Sequence, residues 1–494
     1  MTLPGNTTTV LDGGLGVTTP ATSRPHVVGV FESGLQNTPT LVGNQRQLRE
    51  LFGTQGPGND AAGAILGEAG GPIVVTRVTP TVAATYGAAS MLSDLSPGAD
   101  NEINTLVATS APKNDYAIVV KVIVGGARTA TTFQYSLDGG KTFSPTIAAG
   151  ASIALGSSGV TLEFEAGTVA PFVAGATYTG TSKAPHYAAA DLTAVFAAAD
   201  VSALRWDFWV FAGEAATAAA AATLFATIGA AMNGYAVPAK DRFYGALMGA
   251  GEGTPASVVT AFSALVNVRM SVCQGKARAP APFPVVGRSL PHLPTLLFAA
   301  IRAAGNVMST DLAATSGATS VGALANVSEP SQDEFRSPAG LDDIRISTLR
   351  TAANEIGVYL SNVWMKGTPG TDFEYWQHRR MMDEACKEVS AEHFLLLSSS
   401  VICKADGSGQ IVEVSAKGIE RRVQRRLDNK IGSALRSVGP LTLDGTPGHV
   451  SNIAYQVDRT NNVLSTKTII ATVAIVPRGY AKFLTVTLSY SLAA

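Results

Sequence analysis

Cysteine is scarce in this chain. There are three in 494 residues, Cys273, Cys386 and Cys403, with no C-x-x-C spacing and one thiol left over. That argues against a disulfide framework and for a reducing compartment, with buried apolar thiols as the plain reading. Charge is sparse as well: 15% of residues are charged, against about 25% in an average globular protein, and 36 basic residues face 37 acidic ones for a net charge of -1. A chain so balanced has no overall field to draw in nucleic acid. The phosphate-cradling G-x-x-x-x-G-K-[ST], the zinc-binding H-E-x-x-H and the nucleophile elbow G-x-S-x-G are all missing. The start MTLPGNTTTVLDGG has neither a basic nor an apolar leader region, so synthesis and use without a signal peptide are expected. The one long uncharged stretch, residues 215–237, is mostly alanine, threonine and glycine with Asn233 inside. Alanine contributes little to membrane insertion, so a packed core helix is expected and no direct membrane insertion.

Small residues and two terminal strand patterns are abundant instead. Thr468, Ile470, Thr472, Ala474 and Val476 interleave with Ile469, Ala471, Val473 and Ile475, and Phe483, Thr485, Thr487 and Ser489 alternate with Leu484, Val486, Leu488 and Tyr490. Both runs read as strands, and no helix follows to cover them. An uncovered edge strand pairs with another chain, by aggregation or by design, and here it reads as an assembly device.

At this length two to four domains are expected. Residues 1–25 are rich in Gly, Thr and Pro without periodicity and read as an extended arm. An α/β body begins with a strand at 27–31, a helix in NQRQLRELFG with Leu48, Leu51 and Phe52 at helical spacing and Gly53 as its stop, and a buried strand in GGPIVVTRV. It resumes after Asp191 with strand WDFWVFAG, the Ala-rich helix, strand DRFYGALMGA, helix TPASVVTAFSALVNVRM and helix LPTLLFAAIRAAG. Such alternation predicts a mostly parallel sheet. Between 81 and 190 the period drops to two, as in YAIVVKVIV, TTFQYSL and VTLEFEAG, which predicts an inserted all-β peripheral domain. The expected architecture is a multidomain α+β and α/β protein: an arm at 1–25, a body at 26–80 and 191–335, the β insertion at 81–190, and a C-terminal assembly domain with a strand arm at 336–494. In that last part a helix from Asp372, a strand near 394–404 and a basic helix from Ser415 are expected.

Candidate chemistry is thin. SLDGGKTF, residues 136–143, fits the Asp-box pattern of glycosidase propellers, but a single copy reads as a hairpin in which Asp138 caps the turn and Gly139 and Gly140 take positive φ. GAGEGTP, residues 249–255, opens a helix where an anion could sit, without dinucleotide spacing. His378, Cys386 and His393 are eight and seven residues apart on one predicted helix, more than about 10 Å at 1.5 Å per residue, too far to share a metal. Asp342, Asp343, Asp383 and Glu384 sit beside arginines as salt-bridged faces would. No catalytic residue, cofactor site or metal site is expected. The exception to this blandness is the stretch at 415–437: Ile419, Val423, Leu427, Ile431 and Leu435 form an apolar stripe, while Lys417, Arg421, Arg422, Arg425, Arg426, Lys430 and Arg436 crowd the rest. One face docks; the other suits solvent or an acidic protein partner, with no DNA-binding motif around it.

The order of these pieces resembles the contractile tail sheath proteins, which form the outer cylinder of phage tails and related injection machines. PTLVGNQRQLRELFG followed by GGPIVVTRV is similar to the family's N-terminal signature through Leu41, Val42, Leu48, Phe52, Gly53, Gly70, Gly71, Val74, Arg77 and Val78. DFEYWQHRRMMDEA resembles its C-terminal helix entry through Tyr375, Trp376, Arg379 and Arg380, and the last 30 or so residues resemble its closing strands. The family's tryptophan-glycine-alanine-arginine-threonine segment is here VWMKGTPG, with only Trp364 kept, which places the chain in a divergent branch. The resemblance implies a non-enzymatic subunit of a virion tail, assembled in the host cytoplasm, that stacks in six-fold rings around an inner tube. Its partners would be further copies, the tail tube protein, and baseplate and tail terminator proteins. Arms would add strands to neighbouring subunits through Thr485, Val486, Thr487 and Leu488, and Arg421, Arg422, Arg425 and Arg426 would face the tube. Another tail or baseplate component, or a carbohydrate-binding or carbohydrate-active protein using the Asp-box domain, are the alternatives.

Overall fold

A computed structural model describes residues 23–86, 92–93, 103–105, 111–168, 170–213, 215–237, 240, 242–313, 326–327, 340–352, 355–397, 400–432 and 450–477. Its centre is a six-stranded sheet in the order Met270–Cys273, Gly245–Gly249, Phe208–Phe211, Pro25–Gly29, Ile73–Arg77 and Thr40–Val42. The first five are parallel and Thr40–Val42 closes one edge antiparallel. Helices cover both faces, so the strands are apolar on both sides and the two-residue period sorts their side chains between two cores. Val27, Val75, Phe208, Val210 and Leu247 join one core with helices α1 (Gln45–Phe52), α2 (Pro57–Glu68) and α6 (Thr295–Gly305). Val28, Val74, Trp209, Phe211 and Met248 join the other with α3 (Leu192–Val201), α4 (Ala218–Tyr235) and α5 (Pro255–Phe262).

Local chemistry sets the boundaries. Asn44 caps α1 by accepting from the Gln47 N–H, and Gly53 ends it at φ 81°. Leu48 and Phe52 are buried, whereas Leu51 is 41% exposed. The Ala-rich segment is α4, started by the Thr217 side chain. Among the described residues no helix is long and apolar enough to cross a membrane.

Two expectations need correction, and one helix has no counterpart among them. Helix α2 does not stand out in the sequence, because PGNDAAGAILGE is buried from Gly58 to Leu66 and so has no polar face to give a 3.6-residue alternation. The stretch after Thr254 is not one helix: α5 stops at Phe262, Asn267 accepts the Arg269 N–H in a turn, and Met270–Cys273 becomes the fifth parallel strand. Among the described residues of 394–404 there is also no strand, because α7 (Trp376–Leu396) runs through Phe394 and Cys403 makes only a single bridge to Ile411.

Between residues 85 and 183 the described elements are strands, apart from a short turn of 3-10 helix at Arg128–Ala130. Tyr116–Val124 pairs antiparallel with Thr177–Lys183 on one side and Thr132–Ser136 on the other, and Ser152–Ala154, Thr161–Phe164 and Ile103–Thr105 form a second sheet. Ile118, Val120, Phe133, Tyr135, Leu162, Phe164 and Tyr178 pack together between them.

The C-terminal part hangs on α7. Trp376 at its start is fully buried in the body, edge-on to Phe208 with ring centroids 5.6 Å apart. Met381 and Ala385, on the same helix, enter a separate core with α8 (Glu413–Lys430) and the antiparallel hairpin Asn452–Val457 and Ala471–Val476.

Candidate assembly surface

Helix α8 distributes its side chains over four directions. Ile419, Val423 and Leu427, with Ile431 just beyond the helix, are buried in the C-terminal core, as the sequence stripe predicts. Leu435, Arg436 and the end of the expected helix lie outside the described residues, as do Thr485, Val486, Thr487 and Leu488. Arg422 and Arg426 turn to α7: Arg422 pairs with Glu392, and Arg426 with Glu388 and, at 3.4 Å, with Glu392. The glutamates are nearly buried, with side chains 12% and 8% exposed, so these pairs hold two helices together. Their partnership with Glu388 raises the Arg426 pKa further. Arg421 and Arg425 are exposed, and neither pairs with another described residue. Of the four arginines expected to face a partner, two are therefore structural ties and two form an open cationic face.

The fourth direction, Glu420 and Gln424, points at the hairpin. Gln424 Oε1 accepts the Tyr455 N–H at 3.0 Å, its Nε2 donates to the Ile453 carbonyl at 3.3 Å, and Glu420 Oε1 accepts the Val457 N–H at 2.8 Å. Arg459 grips Glu420 and Glu413. Its hydrogen bonds are the main reason that the Glu420 carboxyl stays below the usual carboxylate range. Spacing alone could have flagged two of these relations: Glu388 and Glu392 are four apart, matching Arg422 and Arg426, and Glu420 and Gln424 are likewise four apart.

The other strand of the hairpin, Ala471–Val476, has one paired edge. Its register with Asn452–Val457 makes Thr472, Ala474 and Val476 the hydrogen-bonded partners of Gln456, Ala454 and Asn452, and turns the backbone of Ala471, Val473 and Ile475 outward. Among the described residues nothing covers that outer edge. The expected edge strand is thus present in the first of the two terminal runs.

The remaining candidates are structural. Asp138 accepts from the backbone N–H of Lys141 and Thr142, from the hydroxyls of Ser136 and Thr142, and from the N–H of Ser289 and Leu290, with Gly139 and Gly140 at positive φ. The Asp-box turn is therefore a clasp between the β sheets and the loop before α6. Lys183 and Lys276 both reach Glu252 in the GAGEGTP loop. They line a cavity of about 290 Å³ with Asp115, Asp138 and His292, charges of both signs with no nucleophile-base pair. Asp383 is shared by Arg269 and Arg379, and His393 bonds the Tyr455 hydroxyl at 2.7 Å. Among the described residues no group of three His, Cys, Asp or Glu could hold a metal.

No protein-family model and no curated protein matches this chain in sequence. Solved structures do match over its whole length. It is similar to a chain of the six-fold symmetrised baseplate of the anti-feeding prophage, at 11% identity with all of both chains covered and a TM-score of 0.54. It is similar to a chain of that particle's helical sheath in the contracted state, at 11% identity over 99% of this chain and 100% of the other, with a TM-score of 0.51. A third likeness, at 10% identity over 100% and 98% of the two chains and a TM-score of 0.50, is to the contracted sheath complex of an extracellular contractile injection system, PVC. The chain has the sheath fold of contractile injection systems.

Proposed function

We propose that this protein is the polymerising subunit of a contractile tail sheath, stacking in six-fold rings around an inner tube and contracting to drive that tube through a target envelope. The observation that carries the proposal is the end-to-end likeness to chains of sheath structures, joined to a C-terminal hairpin with one open edge. In this reading residues 1–22 and the last strands are arms that add to the hairpin of neighbouring copies, while residues 23–25, expected in the arm, belong to the body, where Ser23 is buried and Pro25 opens a central strand. Main-chain ladders of that kind tolerate rigid-body rotation of the attached bodies, so connectivity survives a large change of helical pitch. Residues 26–80 and 191–335 are the body, 81–190 a peripheral domain and 336–494 the assembly domain. Arg421 and Arg425 meet an acidic tube, while Arg422 and Arg426 keep α8 in place on α7. Baseplate and tail terminator proteins bound the polymer, and the protein works in a virion or virion-like tail without enzymatic activity.

Negative-stain microscopy of the purified protein tests this. Long hollow cylinders are expected. Closed single rings that never stack would favour a baseplate component, in keeping with the likeness to a baseplate chain. Monodisperse monomers at high concentration would overturn the sheath reading.

A further inference from the structure

We infer that α8 seals one edge of the C-terminal hairpin, so that an extended segment of a second copy can add only at Ala471–Val476; Glu420, Gln424 and Arg459 are the residues that make the addition one-sided. The inference rests on the assembly reading above.

A two-stranded hairpin has two outer edges, and each is a template for another strand. On Asn452–Val457 the outward backbone groups belong to Ile453, Tyr455 and Val457, given the register of the pair. Five of those six groups have a partner within the chain. The Ile453 N–H is taken by the Asn452 side chain at 3.0 Å and its carbonyl by Gln424 Nε2. The Tyr455 N–H goes to Gln424 Oε1, the Val457 N–H to Glu420, and the Val457 carbonyl to Arg459. Gln424 receives from Tyr455 and donates to Ile453, which is the pair of bonds that one residue of an added parallel strand would make. Asp428 accepts the same Gln424 amide at 2.8 Å and fixes its orientation.

On Ala471–Val476 the three corresponding residues are Ala471, Val473 and Ile475. Among the described residues their outward N–H and carbonyl groups have no partner. Their side chains lean on the C-terminal core, so the edge is held in strand geometry while its ladder groups stay open. The occupant is a second copy of this chain. Residues 1–22, which lie before the first described residue, would span up to about 73 Å when extended, enough to cross between subunits. Sealing one edge and opening the other allows each hairpin one acceptor face, a requirement for a polymer with fixed connectivity rather than a sheet that grows from both sides.

The test uses the full chain. Val473→Pro deletes an outward donor that the hairpin itself does not use, and this variant should stay monomeric in sedimentation. Adding Gln424→Leu, which is similar in volume but cannot bond the backbone, should restore association through the unsealed strand, with at least a tenfold rise in weight-average mass and non-tubular aggregates. A double variant as monomeric as Val473→Pro alone would overturn the seal. Amide exchange in the monomeric Val473→Pro protein gives a second measurement that needs no change in α8. Tyr455 and Val457 should exchange at least tenfold more slowly than Ala471 and Ile475, and equal rates would overturn the inference. Should the wild type itself never associate, the assembly reading fails, and the exchange contrast still decides whether α8 seals the edge.

Discussion

The partition of the four arginines on α8 makes a sharp test, because two reversals of identical charge should have opposite consequences. Arg421→Glu with Arg425→Glu alters exposed side chains that pair with no described residue. Surface changes of this kind cost within about 0.5 kcal/mol. Arg422→Glu with Arg426→Glu removes ion pairs to Glu392 and Glu388 and places carboxylates against glutamates that are 8% and 12% exposed. Losing two half-exposed pairs costs about 0.5–1 kcal/mol each. The new repulsion adds about 1–2 kcal/mol per site, below the roughly 4 kcal/mol for two charges 4 Å apart at an effective dielectric of 20, because the glutamates can turn toward water. The total is about 3–6 kcal/mol. Urea unfolding followed by circular dichroism should therefore show a large loss of midpoint for the second variant and none for the first. Co-assembly with the tube across a salt series should give the reverse contrast for the first, which folds normally but loads poorly. Equal destabilisation by the two reversals would refute the assignment of faces, and salt-independent wild-type loading that survives Arg421→Glu with Arg425→Glu would remove α8 from the tube contact.

Acid should destabilise the body through His26, which is fully buried between Trp206 and Trp209, bonds Thr76, and has its pKa pushed down to about 3 by that burial. Its contribution is complete above the unfolded value near 6.5 and fades as pH falls toward 3, by about 1.4 kcal/mol per pH unit; His26→Phe should flatten the slope of unfolding free energy between pH 6.5 and 4.5, and an unchanged slope would exonerate this histidine. Asp138→Ala leaves six donors of the clasp without their acceptor and should cost about 3 kcal/mol or more, read as faster amide exchange at Thr142, Ser289 and Leu290; exchange as slow as wild type would mean that the clasp contributes nothing. Replacing residues 81–190 with a Gly/Ser linker should leave the parallel sheet folded, since one of its cores draws only on residues outside that range and the other loses only Tyr187 and the adjoining Ala189, and a chain unable to fold would show that the β sheets share the body's stability.

Period and punctuation carried much of the architecture into the sequence. The unbroken apolar runs in IVVTR and FWVF announce strands whose two faces both meet core, Asn44 and Gly53 announce the ends of α1, and Ile419, Val423, Leu427 and Ile431 announce the docked stripe of α8. Those features are local, set by rise, pleat and capping within one element. Where burial is total, as in α2, the same reasoning is blind, because a helix without a solvent face has no pattern to show. The four-residue spacing of Glu388 and Glu392 matches Arg421 and Arg425 as well as it matches Arg422 and Arg426, and only the packing of α7 beside α8 decides which two of the four arginines the glutamates claim. The openness of an edge is likewise a tertiary property. It is the placement of Glu420, Gln424 and Arg459 against Asn452–Val457 that closes the hydrogen bonds of that strand, while among the described residues the outer edge of Ala471–Val476 stays open.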